Sequence, residues 1–216
     1  MLRGGSLRGY LIIIPAVLIC LTFHEAAHGL AAYWLGDDTA KRSGRLTLNP
    51  VDHLDPIGTL CMVFFGFGWA KPVPVNTSRF RNQKAGMALT ALAGPTANFL
   101  LSVLLILAAV LLEVYAGGNR FAAALAQFFL QTGQLSVGLG VFNLLPVPPL
   151  DGSRVLQVAL PNRLYYKFYN YQAYFQIALL LLLFLGAFNN ILYTLQAGMT
   201  NVILRIVSAL LGLFGI

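Results

Sequence analysis

The stretch Tyr10-Leu-Ile-Ile-Ile-Pro-Ala-Val-Leu-Ile-Cys20-Leu-Thr-Phe-His24-Glu25-Ala-Ala-His28-Gly-Leu-Ala-Ala-Tyr-Trp-Leu35 decides how the rest of the chain is read. A membrane-crossing helix needs about 20 mainly apolar residues at about 1.5 Å of rise each. This stretch is long enough, yet its second half holds three ionisable side chains. Such groups are costly inside a span and mark functional sites. Positions four apart on a helix share one face, so His24 and His28 can present both imidazoles to one metal ion. Glu25 projects beside that ion and can take a proton from water there. Two histidines satisfied by hydrogen bonds between helices are the bland alternative, but desolvating two imidazoles and a carboxylate together is an expensive way to pack. A haem does not suit this spacing, because histidines four apart on one helix cannot occupy opposite faces of one haem.

Composition agrees with a membrane setting. Of 216 residues, 58% are hydrophobic and 10% charged, against about 25% charged in an ordinary soluble domain. A water-soluble globule is excluded. Two further stretches, Ala85 to Leu112 and Phe121 to Leu145, meet the length of a span plainly. The apolar run after Lys167 has room for two more, with the polar pair Asn189-Asn190 as the natural break. Ile57 to Ala70 is apolar but too short to span as a helix. It leads into Lys71-Pro-Val-Pro-Val-Asn76, so Ile57 to Ala70 is expected to be extended and re-entrant rather than helical, with a hairpin over Gly66 to Asn76, sheltered by protein or a water-filled cavity. The expected fold is an all-α polytopic membrane protein of about five transmembrane helices with a short re-entrant β-hairpin-like segment. No repeat or composition shift divides it: residues 1–216 read as one domain, with core motifs in 10–152 and additional C-terminal spans in about 171–216. Cys20 and Cys61 lie in apolar runs and read as small buried hydrophobes rather than a disulfide framework.

The formal charge of +7 comes from 14 Lys and Arg against 7 Asp and Glu. In a soluble chain it would suggest nucleic acid. Here it reads as an orientation signal, with no nucleic-acid partner expected. Lys41, Arg42, Arg45, Lys71, Arg79, Arg81 and Lys84 place seven of the 14 basic residues in one loop, which the positive-inside bias makes cytoplasmic. The first and third spans then both run inward, although Arg3 and Arg8 at the outer end oppose this. The N-terminal stretch has no convincing small-residue cleavage site and is expected to be a retained helix rather than a signal peptide.

Two histidines leave a tetrahedral site one protein ligand short. The backbone of Cys20 lies about 12 Å along the helix from that of His28, too far to share an ion. Asp37 and Asp38 are a similar distance beyond, and Glu113 is expected on the opposite side of the membrane. Asp52, His53, Asp55 and Asp151 remain. Asp151 has the most suggestive setting, Asn143-Leu-Leu-Pro-Val-Pro-Pro-Leu-Asp151-Gly152, where three prolines impose irregular backbone at membrane depth and the glycine permits a sharp turn. Its bland alternative is a helix N-cap near the interface.

These residues together resemble the site-2 protease family of intramembrane zinc metalloproteases (peptidase family M50), in particular its compact bacterial and archaeal members. The resemblance rests on His24-Glu25-Ala-Ala-His28, on Ala93-Gly94-Pro95-Thr-Ala-Asn98, on Asn143 through Gly152, and on Gly68-Trp-Ala-Lys-Pro-Val-Pro-Val-Asn76. It implies one Zn2+ per chain held by His24, His28 and Asp151, with Glu25 as general base. It assigns Asn143 to the substrate carbonyl and groups Asn98 with it as a substrate-side residue that also supports the core between spans. Gly94 and Pro95 also have a bland account, close helix packing and a local kink. With no evident PDZ insertion, the chain looks like a minimal member. The implied activity is hydrolysis of peptide bonds in or near transmembrane segments of substrate proteins, in a bacterial or archaeal cell membrane, with the active site in its cytoplasmic half and the hairpin receiving substrate as an added strand. The alternative is a membrane metal transporter or metal-binding protein without proteolytic activity, which would leave Glu25 without a task.

Overall fold

The computed structural model describes residues 7–58, 61, 69–116, 118–161, 164, 170–213 and 215. α1 (Leu7–Trp34) carries the HExxH motif. It ends where Gly36 takes a left-handed φ of 102°, a conformation that costs glycine nothing. The Asp37 N–H folds back onto the Ala32 carbonyl at 2.9 Å. α2 (Thr39–Arg42) and a 3-10 turn at Pro50–His53 follow. An extended strap at 69–76 then leads through a second 3-10 turn, Thr77–Arg79, into α3 (Gln83–Tyr115). α4 (Arg120–Asn143), α5 (Asp151–Ala159), α6 (Gln172–Phe184) and α7 (Asn189–Gly212) complete the order. Asparagines set several starts: Asn76, Asn82 and Asn119 each accept N–H groups of the first turn that the helix itself cannot satisfy.

α1, α3 and α4 pack as the core, with α7 against α3 and α4 and α5 against α3. Small residues bring these helices close: Ala16, Cys20 and Ala32 on α1, Ala88, Ala91 and Ala109 on α3, and Ala122 and Ala126 on α4 are all buried. Gly140 shows how close, since a Cβ there would meet the Phe99 ring at 2.6 Å. Without a hydrophobic drive between helices in lipid, such contact is what holds them together. An apolar cluster of Ile106, Val137, Val141, Ile203 and Val207 seals α7 onto α3 and α4.

Three helices among the described residues are long and apolar enough to cross a membrane: Ile12–Trp34, Gln83–Tyr115 and Asn189–Gly212. With their large exposed hydrophobics, including Leu100 at 61% and Leu104 at 63%, they make this a membrane protein. Two expected spans differ. The helix over 120–143 is long enough, at about 36 Å, but Gln127, Gln131 and Gln134 dilute its apolar character. α6, with 13 residues, reaches only about 20 Å of a roughly 30 Å core. The expected break near Asn189-Asn190 falls at 185–188, just before α7.

No strand is formed among the described residues. The strap makes one antiparallel bridge, Leu54 to Ala70, and the Lys71 N–H donates to the His53 carbonyl at 2.9 Å. Residues 59–60 and 62–68, which include the start of the expected hairpin, lie outside the described residues. At 56–58 the chain is helical rather than extended, because Asp55 accepts the Gly58 N–H at 2.8 Å and Pro56 suits a first helical position.

Candidate metal centre

His24 and His28 are 4% and 9% exposed and face α3 across α1's inner side. On α3 the residues opposite recur every four positions: Thr90, Gly94 and Asn98. The Thr90 carbonyl accepts from Nδ1 of His28 at 2.7 Å. A carbonyl can only accept, so Nδ1 carries the proton, and in the neutral ring Nε2 is left with a free lone pair. Gly94 supplies the space. A Cβ there would lie 2.5 Å from Cε1 and Nε2 of His28 and 2.6 Å from Cε1 of His24. The close-packing account of Gly94 is therefore right, and what it packs against is the pair of imidazoles.

Asp151 arrives from the far end of the sequence. The chain leaves α4 through Pro146–Pro149 and starts α5 at Asp151 itself. Gly152 lies against the Leu144 carbonyl so closely that any Cβ would collide with it. This fold-back brings Oδ2 of Asp151 to 3.1 Å from Nε2 of His24 and 3.2 Å from Nε2 of His28. The two imidazole Nε2 atoms are 3.0 Å apart. Three donor atoms thus form a nearly equilateral triangle. A tetrahedral zinc with bonds of about 2.0–2.1 Å has ligand–ligand edges of about 3.3 Å, so the donor set fits that ion in chemistry and in size. It is the one such group of His, Cys, Asp or Glu among the described residues. Of the other sequence candidates, His53 and Asp55 are engaged elsewhere, with Nε2 of His53 meeting the Thr47 carbonyl at 2.9 Å and Asp55 capping 56–58, and Asp52 is not part of the group.

Glu25 lines the same cleft, as do Asn143, Val73 and Arg154. Oε2 of Glu25 accepts the Val73 N–H at 3.0 Å, the one donor available on the Pro72-Val73-Pro74 run, since proline has none. Nδ2 of Asn143 donates to the Leu139 carbonyl at 3.0 Å, leaving its second N–H for another partner. Asn98 differs from the expectation of a substrate-side residue: it is fully buried, with Nδ2 at 3.3 Å from Nδ1 of His24. It lies behind the ring rather than in the cleft.

The strap is anchored at both ends. Arg45 donates to the Lys71 carbonyl at 2.7 Å. At the other end, buried Asp37 accepts the Asn76 N–H at 2.6 Å and the Thr39 N–H at 3.0 Å. Burial by itself would raise the Asp37 pKa. The Thr39 hydroxyl, these two N–H groups and the Arg79 guanidinium outweigh it and hold the carboxyl below its ordinary 3.8. Arg79 also pairs with Asp38. Sequence reasoning missed Asp37, which sits just past the helix and was weighed only as a ligand. It also missed Arg154 and the Thr90 carbonyl; the four-residue spacing of Thr90, Gly94 and Asn98 was the signal available.

Residues 110–185 match the family described as Peptidase family M50. The chain is 39% identical over 207 residues, 95% of its length and 94% of the relative's, to the protein of Bacillus subtilis (strain 168) named "Putative zinc metalloprotease YwhC". The chain belongs to peptidase family M50. A mycobacterial relative, "Putative zinc metalloprotease Rip2" of Mycobacterium tuberculosis (strain H37Rv), is 32% identical over 152 residues, covering 68% of this chain and 57% of that protein. Its counterpart in Mycolicibacterium smegmatis is 29% identical over 153 residues, with the same shares covered. No solved structure matches the chain. Membership in M50 turns the resemblance into kinship, and the converging His24, His28 and Asp151 come from two of the stretches that carry it.

Proposed function

We propose that this M50 peptidase hydrolyses peptide bonds in or near transmembrane segments of substrate proteins, with His24, His28 and Asp151 holding zinc and Glu25 as general base. The enzyme is a zinc metalloprotease, and its relatives' names and its own donor set agree on the metal. The observation that carries the site assignment is the triangle of Nε2, Nε2 and Oδ2 with 3.0–3.2 Å edges, with Glu25 in the same cleft. Zinc, when bound there, polarises a carbonyl and acidifies water.

The chain's own residues do the rest. Glu25 takes a proton on its carboxylate and returns it to the leaving amine. The Val73 N–H holds Oε2, which orients the carboxylate and leaves Oε1 to exchange the proton. Asn143 offers its second N–H to the substrate carbonyl as negative charge develops. The strap forms one wall of the cleft through Pro72, Val73 and Val75. With the N–H groups of Lys71, Val73 and Asn76 engaged, the strap offers an unwound substrate segment mainly carbonyl acceptors, for backbone N–H groups that the bilayer cannot satisfy.

The remaining topology is part of this proposal. Residues 1–216 form one domain. The helix over 120–143 and the region of α6 serve as two further membrane segments, enclosed or shortened, making five. The basic loop 36–84 faces the cytoplasm of a bacterial or archaeal cell, which puts the site in the cytoplasmic half.

The test is cleavage of membrane-segment peptides by purified protein of measured metal content, comparing wild type with Glu25→Gln. The variant should keep its zinc and lose about 10²–10⁴-fold in rate. Full activity in Glu25→Gln would overturn the general-base role. Metal flux in liposomes without proteolysis would favour a transporter instead.

A further inference from the structure

Asn98 is fully buried on α3, and its backbone carbonyl accepts from the Ser136 hydroxyl of α4 at 2.8 Å. Its side-chain amide meets Nδ1 of His24 end-on at 3.3 Å, through Nδ2. At the other end, Oδ1 is buried with no hydrogen-bond partner. An asparagine amide is a donor at one end and an acceptor at the other, and a half-turn about Cβ–Cγ exchanges them. In either orientation one amide atom stays without a protein partner. Neither orientation is fixed by a protein partner at that far end, so His24 is the group that bears on the choice between them.

With the NH2 group toward His24, Nδ1 accepts and the ring proton sits on Nε2, where it can donate to Oδ2 of Asp151 at 3.1 Å. With Oδ1 toward His24, Nδ1 carries the proton and Nε2 presents a lone pair to the point it shares with His28 and Asp151. Only the second tautomer is a ligand. His28 is already committed to the equivalent form by the Thr90 carbonyl. His24 is not, because its neighbour can serve either way.

We propose that Asn98 is the positioning residue of His24: its side-chain carbonyl accepts the Nδ1–H when the site holds zinc, and the amide turns over when the site empties. The two imidazoles then differ in kind, one fixed by a backbone carbonyl and one switched by an amide. This rests on His24, His28 and Asp151 being the zinc ligands, as proposed above.

The experiment measures zinc affinity of the purified full chain by chelator competition, for wild type, Asn98→Ala, Asn98→Asp and His24→Ala. Asn98→Ala should bind zinc about 10–100-fold more weakly, the usual effect of losing such an outer partner. Asn98→Asp should bind at least as tightly as wild type, because a carboxylate accepts from Nδ1–H without turning. In the metal-free proteins, 15N spectra of the histidines should place the His24 proton on Nδ1 in Asn98→Asp and on Nε2 in wild type. A purely structural role for Asn98 predicts instead that a buried aspartate harms as much as alanine, so equal weakening in both variants overturns the proposal. Wild-type affinity in Asn98→Ala, or identical metal-free tautomers in Asn98→Asp and wild type, does so as well. If Asn98→Ala fails to fold, the comparison of Asn98→Asp with wild type still decides. His24→Ala separates the two levels: retention of tight zinc binding there removes the ligand assignment itself, whereas its loss beside an unaffected Asn98→Ala removes only the proposal.

Discussion

Along α1, Cys20, Thr22, His24 and His28 are buried while Phe23 is 38% exposed; along α6, Leu179 is buried while Leu181 is 58% and Phe184 87% exposed. Both helices are strongly apolar in sequence, yet they spend that character differently. α1 turns its polar and small residues inward, onto Thr90, Gly94 and Asn98, and gives its bulky residues to the outside. α6 has no polar inward face to protect and exposes leucine on several sides. In water the second arrangement would be unstable. In lipid it costs little, because hydrocarbon tails are as apolar as leucine. Along α1, polarity rather than hydrophobicity therefore identifies the inside.

Three substitutions probe that contrast. The largest effect is expected at Gly94. Glycine to alanine inside a helix ordinarily stabilises by about 1 kcal/mol, but here the added Cβ would sit 2.5 Å from the His28 ring. Gly94→Ala should instead cost about 1–3 kcal/mol from overpacking and weaken zinc binding about tenfold or more, as thermal unfolding and chelator competition would show. A stabilised, zinc-competent Gly94→Ala would break the picture of α3 as the imidazoles' bed.

Asp37→Asn tests the strap's anchor through pH. The Asp37 carboxyl is held below its ordinary 3.8 in the folded chain, so the unfolded chain binds the proton more readily. Its stabilising contribution is complete above 3.8 and is lost as pH falls through the lower folded value. Wild type should lose unfolding temperature over about pH 5 to 2 more steeply than Asp37→Asn. Parallel curves would remove Asp37 as an anchor.

The smallest effect is expected on the lipid-facing side. Leu181→Ala should leave stability within about 0.5 kcal/mol and zinc affinity within about twofold. A large loss of zinc there would mean that α6 packs more closely on the site than its exposure indicates.

Local geometry made part of this site legible. His24, Glu25 and His28 could be read directly, because four-residue spacing on one helix needs no tertiary information. The asparagine caps are signals of the same kind, although only the structure located their helices. At 120–143, length and a missing charge read as a plain span, but they do not weigh three glutamines against their apolar neighbours. Gly94 was under-read, because a glycine in an apolar helix looks the same whether it faces another helix or a pair of imidazoles.

By itself the sequence determined that this is a membrane protein and that α1 presents two imidazoles and a carboxylate on adjoining faces. These follow from composition and from the period of the α-helix. Only the tertiary structure decided which acid completes the triangle, since His24 and Asp151 are 127 positions apart and meet through the fold-back at Gly152. It alone put Asn98 behind His24 and the Val73 N–H on Glu25. Each is a contact between distant segments, set by how closely small residues let the helices approach, and no local pattern records that distance.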